Sequence, residues 1–401
     1  EIGVRLVGSE MCIRDRTKTS YIKRRSCRFV WSLSTKCIIF KGGKMKRRIS
    51  LLLFLVLALI LNACGGSEKE ASQVQEVKEV KESEYSVTDV RGKTIKFEKT
   101  PERIATVDKP LPSIIYAIDG KTDKIVGCNP SSIKAFEESV LKNMYPQLAN
   151  ANTKWCSKDS VVNVEELLKL KPDVVFIYSN IEKEIEKMEA AGLKVVALKR
   201  AEFDSIKENI KMISEVLQKK ERGDLLVEYM DKGINEVTSK LAEIKDEDKP
   251  KVIEFYSDMK IAVKAYDHWM KPSGAHNPAH ELKGKLAEVD MEQMIVWNPD
   301  IIYLGNHSDL MPEDFIENKQ EGRDWSTIKA VANKQVYKIP IGVYRWDPPG
   351  VETPLTVKWA AKIQYPQLFS DMDMEVELKN FFEYVYDYKL SDDEVATILR
   401  K

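Results

Sequence analysis

The chain has 401 residues with 63 basic and 63 acidic side chains, and that even balance conceals two unlike parts. Residues 1–63 hold 14 Lys and Arg against 3 Asp and Glu, which leaves 49 basic and 60 acidic residues in the remainder. An acidic body with interspersed charges argues against nucleic acid as a partner, and the length suffices for two domains with a core each.

Residues 1–44 precede Met45 and include "VGSEMCIRDR", which looks like translated adapter sequence. They are set aside from fold reasoning together with Cys12, Cys27 and Cys37. In "MKRRISLLLFLVLALILNAC", Lys46, Arg47 and Arg48 precede an apolar run over residues 49–61. That run is short for a membrane span but suits the core of a signal peptide, placed at residues 45–63. It ends in "LNAC", which resembles a bacterial lipobox with Cys64 as the lipidated residue. Residues 64–84 are charged and aromatic-free, as expected of a flexible tether. Export would permit a disulfide between Cys128 and Cys156, and two buried thiols fit their spacing equally well.

Residues 85–101 alternate and turn at Arg91-Gly92, which predicts a hairpin. Next come the strand "RIATV", the helix "PSIIYAI", the strand "KIVGC" and the helix "SIKAFEESVLKNM". The short helix "VEELLKL", the strand "DVVFIY", the helix "IEKEIEKMEAAG" and the strand "KVVAL" follow. Apolar strands bounded by helices predict a parallel sheet covered on both faces, in a lobe over residues 85–203.

Residues 204–246 carry helical stripes only, Ile206, Ile210, Ile213 and Leu217, then Leu226, Met230, Ile234, Val237, Leu241 and Ile244. A break near residues 220–223 predicts two helices. The second, of about 24 residues, would be roughly 36 Å long at ~1.5 Å per residue. The α/β alternation restarts over residues 247–401 with "KVIEFYS", "IAVKAY", a helix after Pro278, "DIIYLG", "KQVYKIP" and C-terminal helices.

One phrase occurs twice. "NVEELLKLKPDVVFI" at residues 163–177 is echoed by "DMEQMIVWNPDIIYL" at residues 290–304. Asn163 with Glu166, and Asp290 with Gln293, form a capping-box pattern in which two backbone donors are satisfied reciprocally. Each helix then breaks at Pro-Asp (Pro172-Asp173, Pro299-Asp300) before an apolar strand. The repetition implies two lobes of one architecture.

Two such lobes joined by a long helix, behind a lipobox, resemble the substrate-binding proteins of ABC importers for iron complexes and cobalamin. The resemblance spans residues 85–401. It rests on "PERIATVDKPLPSIIYAIDGKTDKIVG", on both corner phrases, and on "KQVYKIPIGVYRWDPPGVETPLTVKWAAKIQYPQLF". It implies an α/β fold of two Rossmann-like lobes with mainly parallel sheets bridged by one long α-helix, similar to class III periplasmic binding proteins. It also implies a lipid-anchored extracytoplasmic monomer that needs no cofactor. That protein would capture an iron chelate (siderophore or haem-like) between its lobes and deliver it to an ABC permease with a separate ATPase subunit. Cobalamin, or another metal ion or complex, is the alternative cargo.

Glu165 and Glu292, second in their corner helices, match the carboxylates with which the family docks on arginines of the permease. A first-turn Glu also complements a helix dipole by ~0.3–1 kcal/mol, a task for which Glu166 and Gln293 are better placed.

In a bilobed binder the ligand lies where loops at the strands' carboxyl ends converge. Here those are residues 108–110, 129–130, 153–157 and 178–179 of the first lobe, with 256–258, 266–276, 305–309 and 342–346 of the second. They offer Trp155, Tyr178, Tyr256, His268, Trp269, His307, Tyr344, Arg345 and Trp346 as ligand contacts. Aromatics suit a large ring-bearing ligand, and Arg345 could clamp its carboxylates or brace its own loop through Asp347. His268, His276, His280 and His307 fall in one stretch, with His276 and His280 four apart, and imidazoles could complete the coordination of a metal. "HNPAHE" lacks the Glu of H-E-x-x-H, and G-x-S-x-G and P-loop patterns are absent, so no enzyme is expected.

The lipobox makes a direct prediction. Cys64→Ala should move the protein from the membrane pellet to the soluble fraction on cell fractionation; retention in the pellet would contradict the anchor.

Overall fold

A computed structural model describes residues 84–400 apart from 122, 201, 202 and 321. The signal peptide, Cys64 and nearly all of the tether lie outside the described residues.

The hairpin expected at the start pairs β1 (Tyr85–Thr88) with β2 (Thr94–Phe97) in antiparallel register. It turns at Gly92, whose φ of 81° favours glycine. Val87, Ile95 and Phe97 point inward, so the alternation of the sequence becomes one buried face.

The first sheet contains β3 (Ile104–Thr106), β4 (Ile125–Cys128), β5 (Val174–Tyr178) and β6 (Val195–Leu198) in the order β4-β3-β5-β6, all parallel. Every residue of β5 is buried because both faces are covered. Val174, Phe176 and Tyr178 join one hydrophobic cluster, while Val175 and Ile177 join another with Ile185 and Met188 of the helix Glu182–Ala190.

The second sheet contains β7 (Val252–Ser257), β8 (Lys260–Ala262), β9 (Leu286–Glu288), β10 (Ile301–Leu304) and β11 (Val336–Lys338) in the order β11-β10-β7-β8-β9. The strands β7, β10 and β11 are parallel, whereas β8 runs antiparallel to both of its neighbours, β7 and β9. Only two residues separate β7 from β8, which permits a hairpin turn but not a crossover helix. The expected strand "IAVKAY" is therefore a short return strand. The helix expected after Pro278 is a single 3₁₀ turn, Pro278–Glu281, and β9 follows it unanticipated.

Two helices link the lobes as expected, Phe203–Val216 and the 21-residue Lys220–Lys240, separated at Gln218 with φ 54°. The longer one buries Leu226, Met230, Ile234 and Val237. The helix read in "SIKAFEESVLKNM" divides into Pro130–Glu138 and Leu141–Met144.

The two corners are built alike. Asn163 caps the helix Val164–Lys169 by accepting the Glu166 amide at 3.2 Å, and Asp290 caps Met291–Trp297 through the Gln293 amide at 2.8 Å. Glu166 turns its carboxylate to Lys169 rather than back to the cap, so the reciprocal half of the capping box is not made there. Each helix then leaves through a left-handed residue, Lys171 (φ 47°) or Asn298 (φ 43°), directly before its proline. The aspartate after the proline reaches sideways. Asp173 Oδ2 accepts the amides of Glu102 and Arg103, each at 2.9 Å, and Asp300 Oδ2 accepts that of Lys251 at 2.8 Å. Those donors stand just before β3 and β7, so each corner pins the start of the neighbouring parallel strand.

The chain ends with the helices Thr353–Gln364, Met374–Tyr386 and Asp392–Leu399. The last two return to the first lobe. Tyr386 stacks on Tyr116 at 5.6 Å between ring centroids, and Asn143 Nδ2 donates to Glu394 Oε1 at 2.9 Å. Arg222 of the long helix donates to the carbonyls of Ala117 and Val385, joining spine, first lobe and returning helix.

Candidate ligand-binding cleft

Between the lobes lies a cavity of about 400 Å³. Asp108 and Lys109 reach it from the end of β3, Tyr178 from the end of β5, and Arg200 from just beyond β6. The first lobe adds Lys158, Asp159 and Ser160; the second contributes His307, Tyr344 and Pro348-Pro349. This is the carboxyl-end crevice expected of parallel sheets.

Charge in the cavity is set by which groups keep protons. Burial pushes the Asp108 carboxyl up to about 7, although its Oδ2 accepts the Tyr178 amide at 2.6 Å and Lys109 and Arg200 lie near. Burial lowers the His307 pKa, helped by Arg345 and Lys109 and opposed by Asp347 and Glu138, so the imidazole is mainly neutral near pH 7. The basic side chains of Lys109, Lys158 and Arg200 thus face Asp159 and a partly protonated Asp108. The cavity favours an anion.

His307 is placed from two sides. Its ring stacks on Tyr256 at 4.5 Å, and its Nε2 lies 3.5 Å from Asp347 Oδ2. Asp347 is fully buried and accepts Asn306 Nδ2 at 2.8 Å. Tyr344 is held by Glu352, whose carboxylate accepts the amides of Val343 and Tyr344 at 3.0 and 2.9 Å. Arg345 neither clamps this cavity nor pairs with Asp347. Its Nη2 crosses to the first lobe and meets Glu138 Oε2 at 2.8 Å, beside a backbone bond from Val140 to the Gly342 carbonyl at 3.1 Å.

Of the aromatic candidates, Tyr178 and Tyr344 line the cavity and Tyr256 supports it, whereas the three tryptophans are core residues. Trp155 is fully buried and donates its indole N–H to the Asn152 carbonyl at 2.9 Å. It fills space left by Gly127, where an added Cβ would stand 2.4 Å from the indole nitrogen. Trp269 packs edge-on against Tyr303 at 5.4 Å, and Trp346 is 1% exposed. Their apolar area stabilises the lobes and leaves no surface for a ligand.

The four histidines, close in sequence, do not gather at one site, although His268 and His307 both touch Asp347. His276 stands beside the start of β7, at the far end of that strand from the crevice, through a bridge with Lys251. His280 Nε2 lies 3.1 Å from Asp267 Oδ2. Burial lowers the His268 pKa to about 3, against a bond with the Asp347 backbone, so it stays neutral. Among the described residues no three His, Cys, Asp or Glu side chains gather as a metal site. Cys128 and Cys156 are unpaired and buried, and burial raises both thiols to about 12.

Glu165 and Glu292 are exposed, and neither forms an ion pair among the described residues. Beside them Leu168, Ile295 and Val296 are also exposed, the last at 75%. Lys158 and Arg200 escape sequence reasoning altogether, because a charged residue in a loop is the ordinary solvated case. Only the position of Arg200, two residues beyond a strand end, hinted at the crevice.

The sequence over residues 104–341 matches the family model described as periplasmic binding protein. The chain is 27% identical over 260 residues to the molybdate-binding protein MolA of Haemophilus influenzae, covering 59% of this chain and 73% of that protein. It is 28% identical over 340 residues to an uncharacterized ABC transporter substrate-binding lipoprotein of Bacillus subtilis, YvrC, covering 82% of this chain and all of the relative (100%). A crystal structure of a periplasmic solute binding protein from Veillonella parvula superposes with a TM-score of 0.75 at 36% identity, covering 79% of this chain and 97% of that one.

The raised Asp108 carboxyl has a consequence for stability. Its ordinary value is 3.8, so between pH 4 and about 7 the folded protein holds a proton that the unfolded chain has released. Stability from this group is present below that window and lost as pH rises through it. Asp108→Asn, which can still accept the Tyr178 amide, should gain on the order of 2 kcal/mol over the unsubstituted protein near pH 8 and about nothing near pH 4. Urea melts at both pH values check this; an equal gain at the two would contradict it.

Proposed function

The chain belongs to the periplasmic binding protein family, the solute-binding components of ABC transporters, and from that premise we propose that it captures a small anionic metal–oxygen complex. A ferric chelate bearing carboxylates is the cargo this reading favours. The observation that carries it is the set Lys109, Lys158 and Arg200 around one cavity, in a body whose charge is otherwise acidic. Without local positive charge that body would repel an anionic chelate.

A cavity of about 400 Å³ sits toward the small end of ligand sites. Haem or cobalamin would want exposed ring surfaces, and the three tryptophans that might have supplied them are spent in the cores. A tetrahedral oxyanion such as molybdate is the second reading, favoured by the same cations and small volume. The scattered histidines support a cargo that arrives already coordinated over a bare ion that the protein must ligate. The protein itself performs no chemistry in this reading. It is held outside the cell membrane by lipid on Cys64 and serves a permease driven by a separate ATPase.

Isothermal titration of the full chain with ferric citrate and with molybdate tests the cargo. Arg200→Gln should weaken the bound anion by about tenfold, since a charge-assisted bond contributes ~1.5–3 kcal/mol and ~1.4 kcal/mol is one decade. Binding of neither probe would overturn the reading. Glu165 and Glu292 serve permease docking, with Leu168, Ile295 and Val296 adding aliphatic contact. Glu165→Lys or Glu292→Lys should therefore impair uptake by cells at unchanged ligand affinity; a matching loss of affinity would remove the docking assignment.

A further inference from the structure

The loop over residues 305–309 has a chamber on each side. His307 faces the cavity already described, while Asn306, Ser308 and Asp309 face a second one of about 340 Å³. The second chamber also reaches Glu138 in the first lobe and Lys338 and Arg400 in the second. We propose that it is a further subsite of the cleft, taking an anionic arm of the bound complex when Arg345 exchanges Glu138 for the ligand. The inference rests on the anionic cargo proposed above.

Arg345 stands at the partition. It follows Tyr344, which lines the first chamber, and its guanidinium bonds to Glu138, which lines the second. Its Nε is buried with no acceptor among the described residues, so the fork is only partly used. A guanidinium offers five donors, and a carboxylate set between Nε and Nη2 would engage two together. The Ser308 hydroxyl, on the second chamber's side, is likewise buried without a partner.

The remaining cations are held in place with donors to spare. Lys338 Nζ donates to the carbonyls of Gly305 and Ser308 at 2.9 and 2.7 Å, which leaves one of its three protons. Arg400 donates through Nε to the Ile339 carbonyl at 3.0 Å and through Nη2 to Asn306 Oδ1 at 2.9 Å, leaving Nη1. Lys338, Arg400 and Arg345 face Glu138 and Asp309. Once a ligand displaces Glu138 from Arg345, the balance favours a carboxylate. Such an arm would bridge both lobes, and a compact oxyanion confined to the first chamber would not need it.

Titration of the full chain with ferric citrate and molybdate separates the outcomes. Glu138→Gln removes the competitor for Arg345 at nearly constant shape and should tighten ferric citrate by about three- to tenfold. Thr397→Trp fills the second chamber from an exposed position on the last helix, away from the loop over residues 305–309. It should raise the ratio of the ferric citrate Kd to the molybdate Kd by about tenfold. Weaker ferric citrate binding by Glu138→Gln would show that the ion pair is a clasp the site requires, and would overturn the exchange. An unchanged ratio in Thr397→Trp would overturn the subsite while leaving the anionic cargo intact. Failure of the unsubstituted chain to bind either probe would overturn both.

Discussion

A carboxylate placed directly after a proline, and bonded to the amides that open the next strand, is the interaction on which both lobes depend. The proline forbids the helix to continue, and the left-handed residue before it turns the chain back. Asp173 and Asp300 then fix where β3 and β7 begin relative to β5 and β10. Parallel strands with aligned starts end at similar heights, so the loops leaving them gather on one side. Asp108, Tyr178 and Arg200 meet at the crevice because of that alignment, and residues 305–309 meet them from the other lobe. A shift of one residue in either sheet would turn each wall of the cleft inside out.

The electrostatics of the cleft rest on groups that decline to ionise as much as on those that do. Asp108 and His307 are both pushed toward their neutral forms by burial, which leaves Asp159 as the main counter-charge to Lys109, Lys158 and Arg200. Behind the wall, burial and nearby Asp347 raise Glu254 well above the ordinary carboxyl range, and burial raises Glu352 to about 7. Glu352 uses its oxygens on two backbone amides and so shapes the loop that carries Tyr344 and Arg345. The cleft takes its rigidity from buried polar groups and its positive charge from the exposed Lys109, Lys158 and Arg200.

The architecture was legible because it is written in periodicities. Fully apolar strands between helices announced covered sheets, a two-stripe segment announced the linking helices, and the doubled corner announced two lobes. The antiparallel edge of the second sheet was not legible, since a two-residue turn at Asp258-Met259 carries no strong turn signature. Trp155, Trp269 and Trp346 mark the deeper limit. An indole is equally suited to a core and to a ligand wall, and only the fold reveals which neighbours enclose it. The histidines show the converse: His276 and His280, four apart in sequence, go to Lys251 and Asp267, while His268 and His307, 39 apart, share Asp347. Arg345 was read as a clamp on the ligand or a brace through Asp347, but its partner Glu138 lies 207 positions away in another lobe, beyond any local pattern.

The return of the last two helices to the first lobe bears on how the chain is made. Tyr116 finds its stacking partner in Tyr386, and Asn143 finds its acceptor in Glu394. The first lobe therefore cannot bury its own surface with its own residues. A polypeptide threaded across a membrane from its amino end would emerge with that lobe unfinished and sticky until the final segment arrived. For such a chain, completion of the fold becomes a report that translocation has ended, and a truncation near the carboxyl end would damage the lobe farthest from it in sequence.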